Sequence, residues 1–254
     1  MTTALISLCV VTFALTLVLV GTLAEDPLSA LIHSLWSIDS DAGLVQLGAL
    51  ELSRVWLDGD WWRLLTAAFL HGSWLHLLLN LSALWSIGEW LEPAIGSRKT
   101  LAIFLIAALG GSLASLVWCE APVVVGASGG ILGLAGALLY TRLFFSSASA
   151  IENLPSPTTA ATDSVPSIVL PARSTPAASS ASSDSSIPAA RAASADTASL
   201  RDLREISAPS LAIMIALCLG LGLVVPMIAQ AGHVGGLITG VLATITLLKR
   251  GRWR

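Results

Sequence analysis

Residues 126–133 read GASGGILG, which places a serine among glycines at the start of an apolar helix. The apolar residues continue to about residue 145, so this helix is long enough to enter a lipid bilayer. A serine in such a helix is more often a packing residue than a nucleophile, because small polar residues are common where membrane helices meet. The function of Ser128 therefore has to be argued from the other polar residues of the apolar segments.

The composition is that of an integral membrane protein. Of the 254 residues, 55% are hydrophobic and 11% are charged, with a mean hydropathy of +0.82. A soluble domain carries about 25% charged residues. The net charge of −3 offers no basic surface, so no nucleic-acid partner is expected. The three cysteines are widely spaced and predict neither a metal site nor a disulfide framework.

Six apolar segments predict an all-α integral membrane bundle, folded as one domain over residues 1–254. The predicted spans lie at about residues 4–23, 64–85, 101–118, 128–145, 209–225 and 232–248. A cleaved signal peptide is the alternative for the first segment, since an acidic stretch follows it. The segment has no basic residues before it and is long for a signal sequence, which favours a retained helix.

The segment 146–207 separates the fourth and fifth predicted spans. It is dominated by Ser, Ala, Thr and Pro, which predicts a disordered insertion, because such a sequence cannot bury enough apolar surface to fold. Lys and Arg residues concentrate on the cytoplasmic side of membrane proteins. Arg98, Lys99 and the basic tail at 249–254 therefore predict that the insertion is cytoplasmic and that the acidic, tryptophan-rich loop 25–63 lies outside.

Strongly polar side chains lie in the second, fourth and sixth predicted spans, all of which begin on the outer side. They are His71, His76, Asn80, Ser128 and His233. Polar side chains inside a membrane usually face a bundle interior or a water-filled cavity. His76 and Asn80 are four residues apart and so share a helix face. If the second span begins near residue 64, His76 lies roughly 18 Å along it.

Ser128 and His233 suggest nucleophilic catalysis. A hydroxyl becomes a useful nucleophile when a base takes its proton, and a neutral imidazole suits that task near pH 7. No carboxylate lies within the spans near His233, so the sequence predicts a pair and not a triad. Acyl transfer also needs donors to the oxyanion, and His76, Asn80 and backbone N–H groups near Ser128 are the candidates.

Glycines supply the geometry that this pair requires. Gly126 and Gly129 flank Ser128, and Gly236 and Gly240 form a GxxxG face on the sixth span. Small-residue faces let helix backbones approach closely. We therefore expect the fourth and sixth spans to pack tightly enough to bring Ser128 within hydrogen-bond reach of His233.

Three sequence patterns together resemble the rhomboid intramembrane serine proteases of bacterial type, with six transmembrane helices. They are His71-x4-His76-x3-Asn80, GASG at 126–129 and GHVGG at 232–236. Two further matches are Trp62-Arg63 and the Gly-x3-Glu-x3-Gly pattern of Gly88, Glu92 and Gly96, placed after the second span. The resemblance covers about residues 61–240 outside the insertion, and the long connection before the fifth span departs from a minimal rhomboid.

The resemblance implies a six-helix rhomboid-like bundle in a bacterial inner membrane, with a water-filled active site open to the extracytoplasmic side. The implied roles are nucleophile for Ser128, general base for His233, oxyanion hole for His76 and Asn80, and support for His71, Gly126 and Gly129. The family cleaves transmembrane substrate proteins near helix-destabilising residues and uses no metal or cofactor. The expected partners are therefore transmembrane proteins and the lipid bilayer.

Two other functions are compatible with a polar membrane bundle. A catalytically silent rhomboid-like protein would bind transmembrane helices and affect their trafficking, although the intact serine and histidine argue against it. A small transporter or proton relay would use the histidines to carry protons, but the spans show no coupling carboxylate or inverted repeat. Substrate identity and oligomeric state stay open.

Overall fold

The computed structural model describes residues 1–23, 26–34, 41–118, 122–144, 203, 205–224 and 230–250. These residues are mostly helical, which confirms the all-α class. The helices are α1 (Thr2–Leu23), α2 (Pro27–His33), α3 (Asp41–Gln46), α4 (Leu52–Trp56), α5 (Arg63–Thr66), α6 (Trp74–Ile95), α7 (Ser97–Trp118), α8 (Ser128–Phe144), α9 (Ala208–Val224) and α10 (Gln230–Arg250). Nearly all of the predicted insertion at 146–207 lies outside the described residues.

Three of the described helices, α1, α7 and α10, are long and apolar enough to cross a membrane. The bent pair formed by Arg63–Phe69 and α6 is a fourth candidate, and α8 and α9 are shorter apolar helices. The six-span count therefore stays a prediction.

The predicted second span at 64–85 differs from the structure. A short helical stretch, Arg63–Phe69, meets α6 at an angle of 92°, so one continuous helix does not run through this region. Leu70 is extended (φ −90°, ψ 151°), and α6 begins at Trp74 and continues to Ile95. The span is thus displaced toward the C-terminus by about ten residues.

Ser73 is the physical reason for the late start of α6. Its backbone is extended, and its hydroxyl oxygen accepts a hydrogen bond from the backbone N–H of His76 at 3.1 Å. This is the N-cap geometry that serine favours, and it starts a helix regardless of the apolar residues before it. His76 consequently lies in the first turn of α6, which corrects the expected depth of roughly 18 Å along a helix.

Glycine-to-glycine contacts hold α7, α8 and α10 together. A methyl group added at Gly111 of α7 would lie 2.6 Å from the Gly232 carbonyl oxygen. One added at Gly236 would run into the backbone of Gly129, and one added at Gly240 would run into that of Gly133. The backbones of α8 and α10 are therefore in direct contact along the small-residue face of α10.

Glu92 ties the start of α1 to α6. Its carboxylate accepts hydrogen bonds from the Met1 amino group at 2.7 Å, from the Thr2 hydroxyl at 2.7 Å and from the Ser97 hydroxyl at 2.6 Å. Gly88 lies directly under Thr2, where any side chain would collide. Gly88 and Glu92 of the Gly-x3-Glu-x3-Gly pattern thus lie within α6, and Gly96 follows its last residue. The role of Glu92 is structural, because its hydrogen bonds connect α1 to α6.

A surface loop between α3 and α5 is organised by the buried Arg63. Its guanidinium donates to Asp60 at 2.9 Å and to the backbone carbonyls of Val45 and Ala49 at 2.5 and 3.1 Å. The hydrogen bond from Arg63 lowers the pKa of the Asp60 carboxyl. These bonds fix the position of the loop against the bundle.

The same loop also contacts the segment that precedes α8. Strand β1 (Leu50–Glu51) pairs antiparallel with strand β2 (Val123–Val124), with Leu50 opposite Val124. This two-stranded sheet places the loop beside the chain that leads into the GASGG stretch.

Candidate active site

Ser128 and His233 meet at the N-terminal ends of two helices. Ser128 is the first residue of α8, and His233 lies in the first turn of α10. The Ser128 Oγ is 2.8 Å from the His233 Nε2, in a partly buried setting. A separation of about 2.6 to 3.2 Å is what proton transfer from a hydroxyl to an imidazole requires.

The glycines beside the pair explain how the two helices come so close. A methyl group added at Gly129 would lie 3.1 Å from the Gly232 carbonyl oxygen, and one at Gly236 would overlap the backbone of Gly129. Any larger residue at these positions would push α10 away from α8. The hydrogen bond between Ser128 and His233 therefore depends on backbone contact between the helices.

Gly126 lies between Ser128 and His76. Its φ of +125° falls in a region that L-residues with a side chain rarely adopt, and its N–H donates to the Ala67 carbonyl at 2.9 Å. A methyl group at Gly126 would lie 2.8 Å from the His76 Nε2 and 3.9 Å from the Ser128 Oγ. The His76 ring and the Ser128 hydroxyl thus border the same small space.

Asn80 is buried one turn after His76 on α6. Its side-chain N–H group donates to the His76 backbone carbonyl at 2.9 Å. An amide nitrogen carries two protons, so one is used within the helix and the second remains for another acceptor. Among the hydrogen bonds of the described residues, none joins Asn80 to Ser128.

His71 is fully buried at the bend before α6. Its ring packs edge-on against the ring of His76, with 5.1 Å between centroids. Neither ring nitrogen makes a well-formed hydrogen bond within the described part of the chain, although the Phe69 backbone lies near enough to interact with the ring. His71 therefore contacts His76 and not the pair of Ser128 and His233.

Some residues that shape the site gave no signal in the sequence. The Ala67 carbonyl fixes the turn at Gly126, and strand β1 contacts the segment before Ser128. Backbone groups of apolar residues carry no motif, so these contacts could not be predicted from residue types. In the ranges that the structure describes, no group of three or more His, Cys, Asp or Glu side chains could hold a metal ion.

A protein-family model described as "Rhomboid domain" matches residues 58–168. The matched range contains Ser128, His71, His76 and Asn80, and it ends before α9 and α10. The match therefore does not include His233, and the position of His233 beside Ser128 is seen in the fold alone.

Three relatives each match 37–39% of this chain. Rhomboid protease GluP of Bacillus subtilis (strain 168) is 48% identical over 100 residues, which are 39% of this chain and 19% of that protein. Rhomboid-like protease 5 of Toxoplasma gondii is 43% identical over 93 residues, 37% of this chain and 11% of that protein. RHOMBOID-like protein 6, mitochondrial, of Arabidopsis thaliana is 39% identical over 100 residues, 39% of this chain and 33% of that protein. The chain thus matches a third or less of the length of each of these three relatives.

Proposed function

We propose that this chain, whose residues 58–168 match the rhomboid-domain model, is an intramembrane serine endopeptidase. It would hydrolyse peptide bonds of transmembrane substrate proteins. The observation that carries the proposal is the 2.8 Å separation between the Ser128 Oγ and the His233 Nε2. The protease names of the relatives from Bacillus subtilis and Toxoplasma gondii support the same activity class.

The first chemical step is acylation of Ser128. His233 takes the hydroxyl proton through Nε2 while Oγ attacks the carbonyl carbon of the scissile bond. The tetrahedral intermediate collapses when the protonated His233 gives that proton to the departing amine. The products of this step are an ester on Ser128 and a free amino end of the substrate.

Water completes the reaction by the same proton path. His233 removes a proton from a water molecule, which attacks the ester carbonyl. When the second intermediate collapses, its bond to the Ser128 Oγ breaks, the protonated His233 returns the proton to Oγ, and the new carboxyl end of the substrate is released. The mechanism needs no metal or cofactor. Because Ser128 and His233 are at helix N-termini, we expect water to reach them from the side where α8 and α10 begin.

The oxyanion would be stabilised by donors around Gly126. The His76 ring borders this space, and a neutral imidazole carries one N–H that can point into it. The second amide N–H of Asn80 and the backbone N–H groups at the start of α8 are the other candidates. The positive end of the α8 dipole at Ser128 favours the developing negative charge.

The protein would lie in a bacterial inner membrane with this site open to the extracytoplasmic side. Basic residues support the orientation, since the order of the predicted spans puts Arg98, Lys99 and the basic residues at 249–254 of the sequence on the opposite side from the site. Labelling of single cysteines introduced at Gly59 and at Lys99 with an impermeant reagent tests it. Labelling of the Lys99→Cys variant from outside intact cells would contradict this orientation.

A catalytically silent rhomboid-like protein is the alternative, because several relatives are named "RHOMBOID-like protein" and not protease. Such a protein would bind transmembrane helices without cutting them. The short distance between Ser128 and His233 favours the protease, since a purely binding protein has no need of it.

Labelling with a fluorophosphonate separates the two functions. The purified protein should be labelled and should cleave a model single-span substrate, while Ser128→Ala and His233→Ala should do neither. Ser86→Ala is the matched control, because Ser86 is exposed and bonds only its own helix at the Ser82 carbonyl. Undiminished cleavage by Ser128→Ala would refute the assignment of the nucleophile, and binding of the substrate without cleavage by the wild type would favour the silent alternative.

A further inference from the structure

Helix α1 contacts the chain on both sides of the bend that precedes α6. The Thr12 hydroxyl donates to the Phe69 carbonyl at 2.6 Å, just before the bend. The neighbouring Phe13 packs edge-on against Trp74, just after the bend, with 4.8 Å between ring centroids. Two adjacent residues of α1 thus contact both helical segments, Arg63–Phe69 and α6, which meet at 92°.

The Phe69 carbonyl needs this partner because the helical stretch ends there. In a continuous α-helix the N–H of residue 73 would bond this carbonyl, but Leu70 is extended and α6 starts anew at Trp74. This carbonyl is partly buried, and a partly buried carbonyl without a donor costs free energy, more so where water is scarce. The Thr12 hydroxyl has a single proton, and its distance to Phe69 is shorter than the 3.0 Å to the Cys9 carbonyl of its own helix.

The bend carries the residues that border the candidate active site. His71 lies within it and is fully buried, with its ring near the Phe69 backbone and edge-on against His76. The His76 ring in turn faces Gly126, two residues before Ser128. A contiguous set of contacts therefore runs from α1 through Phe69 and the two histidines to Gly126.

We propose that Thr12 is a positioning residue of the active site, whose hydroxyl fixes the bend that holds His71 against His76 and so places the His76 ring beside Gly126. Thr12 touches neither the pair of Ser128 and His233 nor Gly126, so it acts through the Phe69 carbonyl. Insofar as turnover is the readout, this inference rests on the proposed protease function.

Isosteric variants test the role of the hydroxyl. Thr12→Val keeps the shape of the side chain and removes the donor, whereas Thr12→Ser keeps the donor. Thr16→Val is the matched control, because Thr16 is buried one turn later on α1 and its hydroxyl bonds only its own helix, at the Thr12 carbonyl (2.9 Å). The same change of side chain is thus made with and without loss of the contact to the bend.

We expect kcat for a single-span substrate to fall about threefold to tenfold in Thr12→Val, which is the range for loss of one interhelical hydrogen bond. Thr12→Ser should keep most of the wild-type kcat. KM should change little in either variant, because Thr12 lies away from the substrate. Thr16→Val should keep the kcat of the wild type. Wild-type kcat in Thr12→Val, or an equal loss in Thr16→Val, would overturn the proposal.

Histidine NMR provides a test that does not depend on protease activity. The chain has four histidines, so imidazole signals of the full-length protein labelled with ¹⁵N-histidine can be assigned with single His→Gln variants. Thr12→Val should shift the signals of His71 and His76 and leave that of His33 in place, while Thr16→Val should shift none. Unchanged His71 and His76 signals would refute the positioning role, whether or not the wild type proves to be a protease.

Discussion

At the residue scale, Gly126 shows how one backbone position controls several side chains. Its φ of +125° lets its N–H reach the Ala67 carbonyl, and its missing side chain leaves room for the His76 ring beside Ser128. Gly59 also has a positive φ, of +75°, but has no atoms within 4 Å of the place where a methyl group would be added. An alanine at Gly59 would therefore cause backbone strain alone, whereas an alanine at Gly126 would also collide with the His76 ring.

We predict that Gly126→Ala will reduce turnover on the order of 100-fold, because it displaces His76 from the space beside Ser128. Gly59→Ala should cost a strain of about 1 to 2 kcal/mol, because a φ of +75° is close to the left-handed α region, and leave turnover near that of the wild type. Substrate cleavage and thermal unfolding in detergent measure the two effects. Normal turnover in Gly126→Ala would argue that His76 has no place in the oxyanion hole.

Asn80 is the other residue whose role can be measured separately. We predict that Asn80→Ala will lower turnover about 100-fold to 1,000-fold, as expected for loss of one oxyanion donor, and less than Ser128→Ala, because the other donors remain. Ser82→Ala, an exposed change on the same helix, should have no effect. If a folded Asn80→Ala protein were as inactive as Ser128→Ala, Asn80 would hold the site together through its bond to the His76 carbonyl.

At the element scale, the second predicted span illustrates where apolar patterning misleads. Residues 64–85 are apolar enough to predict one helix, yet the helix starts at Trp74 because Ser73 caps it. An N-cap can be recognised from local sequence, but the apolar residues before Ser73 favoured a helix that starts earlier. The bend itself is supported by Thr12 and Phe13 of α1, which are far away in sequence.

The candidate site depends most on the contact between helices α8 and α10, because this contact brings Ser128 and His233 together. We predict that Gly236→Ala will destabilise the protein by about 1 to 3 kcal/mol, because the added methyl group overlaps the backbone of Gly129. It should also slow fluorophosphonate labelling of Ser128 by separating it from His233. Thermal unfolding and the labelling rate measure both effects.

Gly220→Ala is the control for this prediction. Gly220 lies in α9 and has no atoms within 4 Å of an added methyl group, so the same change in helix propensity occurs there without a collision. Stability should stay the same or rise by up to about 1 kcal/mol. Equal unfolding temperatures for Gly236→Ala and Gly220→Ala would contradict tight packing of α8 against α10.

At the scale of the whole molecule, the end of α8 and the residues just before α9 are tied to the bundle by contacts of their own. Arg142, in the last turn of α8, donates to the Ile206 carbonyl at 3.0 Å, and Leu203 is fully buried in the core. Ser207 then lies at the start of α9, where its hydroxyl accepts from the backbone N–H of Ser210 at 3.4 Å. These contacts hold the described residues on the two sides of the predicted insertion.

We predict that deletion of residues 149–198 will leave substrate cleavage and thermal stability close to those of the wild type. A longer deletion, of residues 149–206, should lower the unfolding temperature, because it also removes Leu203 and Ile206 from their contacts. Loss of activity by the shorter deletion in a protein that still unfolds normally would show that this segment regulates the enzyme.

The membrane class, the all-α fold and the approximate positions of most helices could be predicted from the sequence. These follow from composition and from the length of apolar runs, which are local properties. The sequence also singled out Ser128, His233, His76 and Asn80, because polar side chains are costly inside apolar helices and so stand out there.

How these residues meet could not be predicted, because it depends on contacts between helices. Two contacts join parts of the chain that are far apart in sequence: the 2.8 Å contact between Ser128 and His233 and the pairing of Leu50 with Val124. The bend at Leu70 depends on backbone geometry. The contact of Thr12 with the Phe69 carbonyl belongs to the same class, since a backbone oxygen leaves no mark in the sequence. Residue types could indicate which groups react, whereas backbone contacts between helices set their distances.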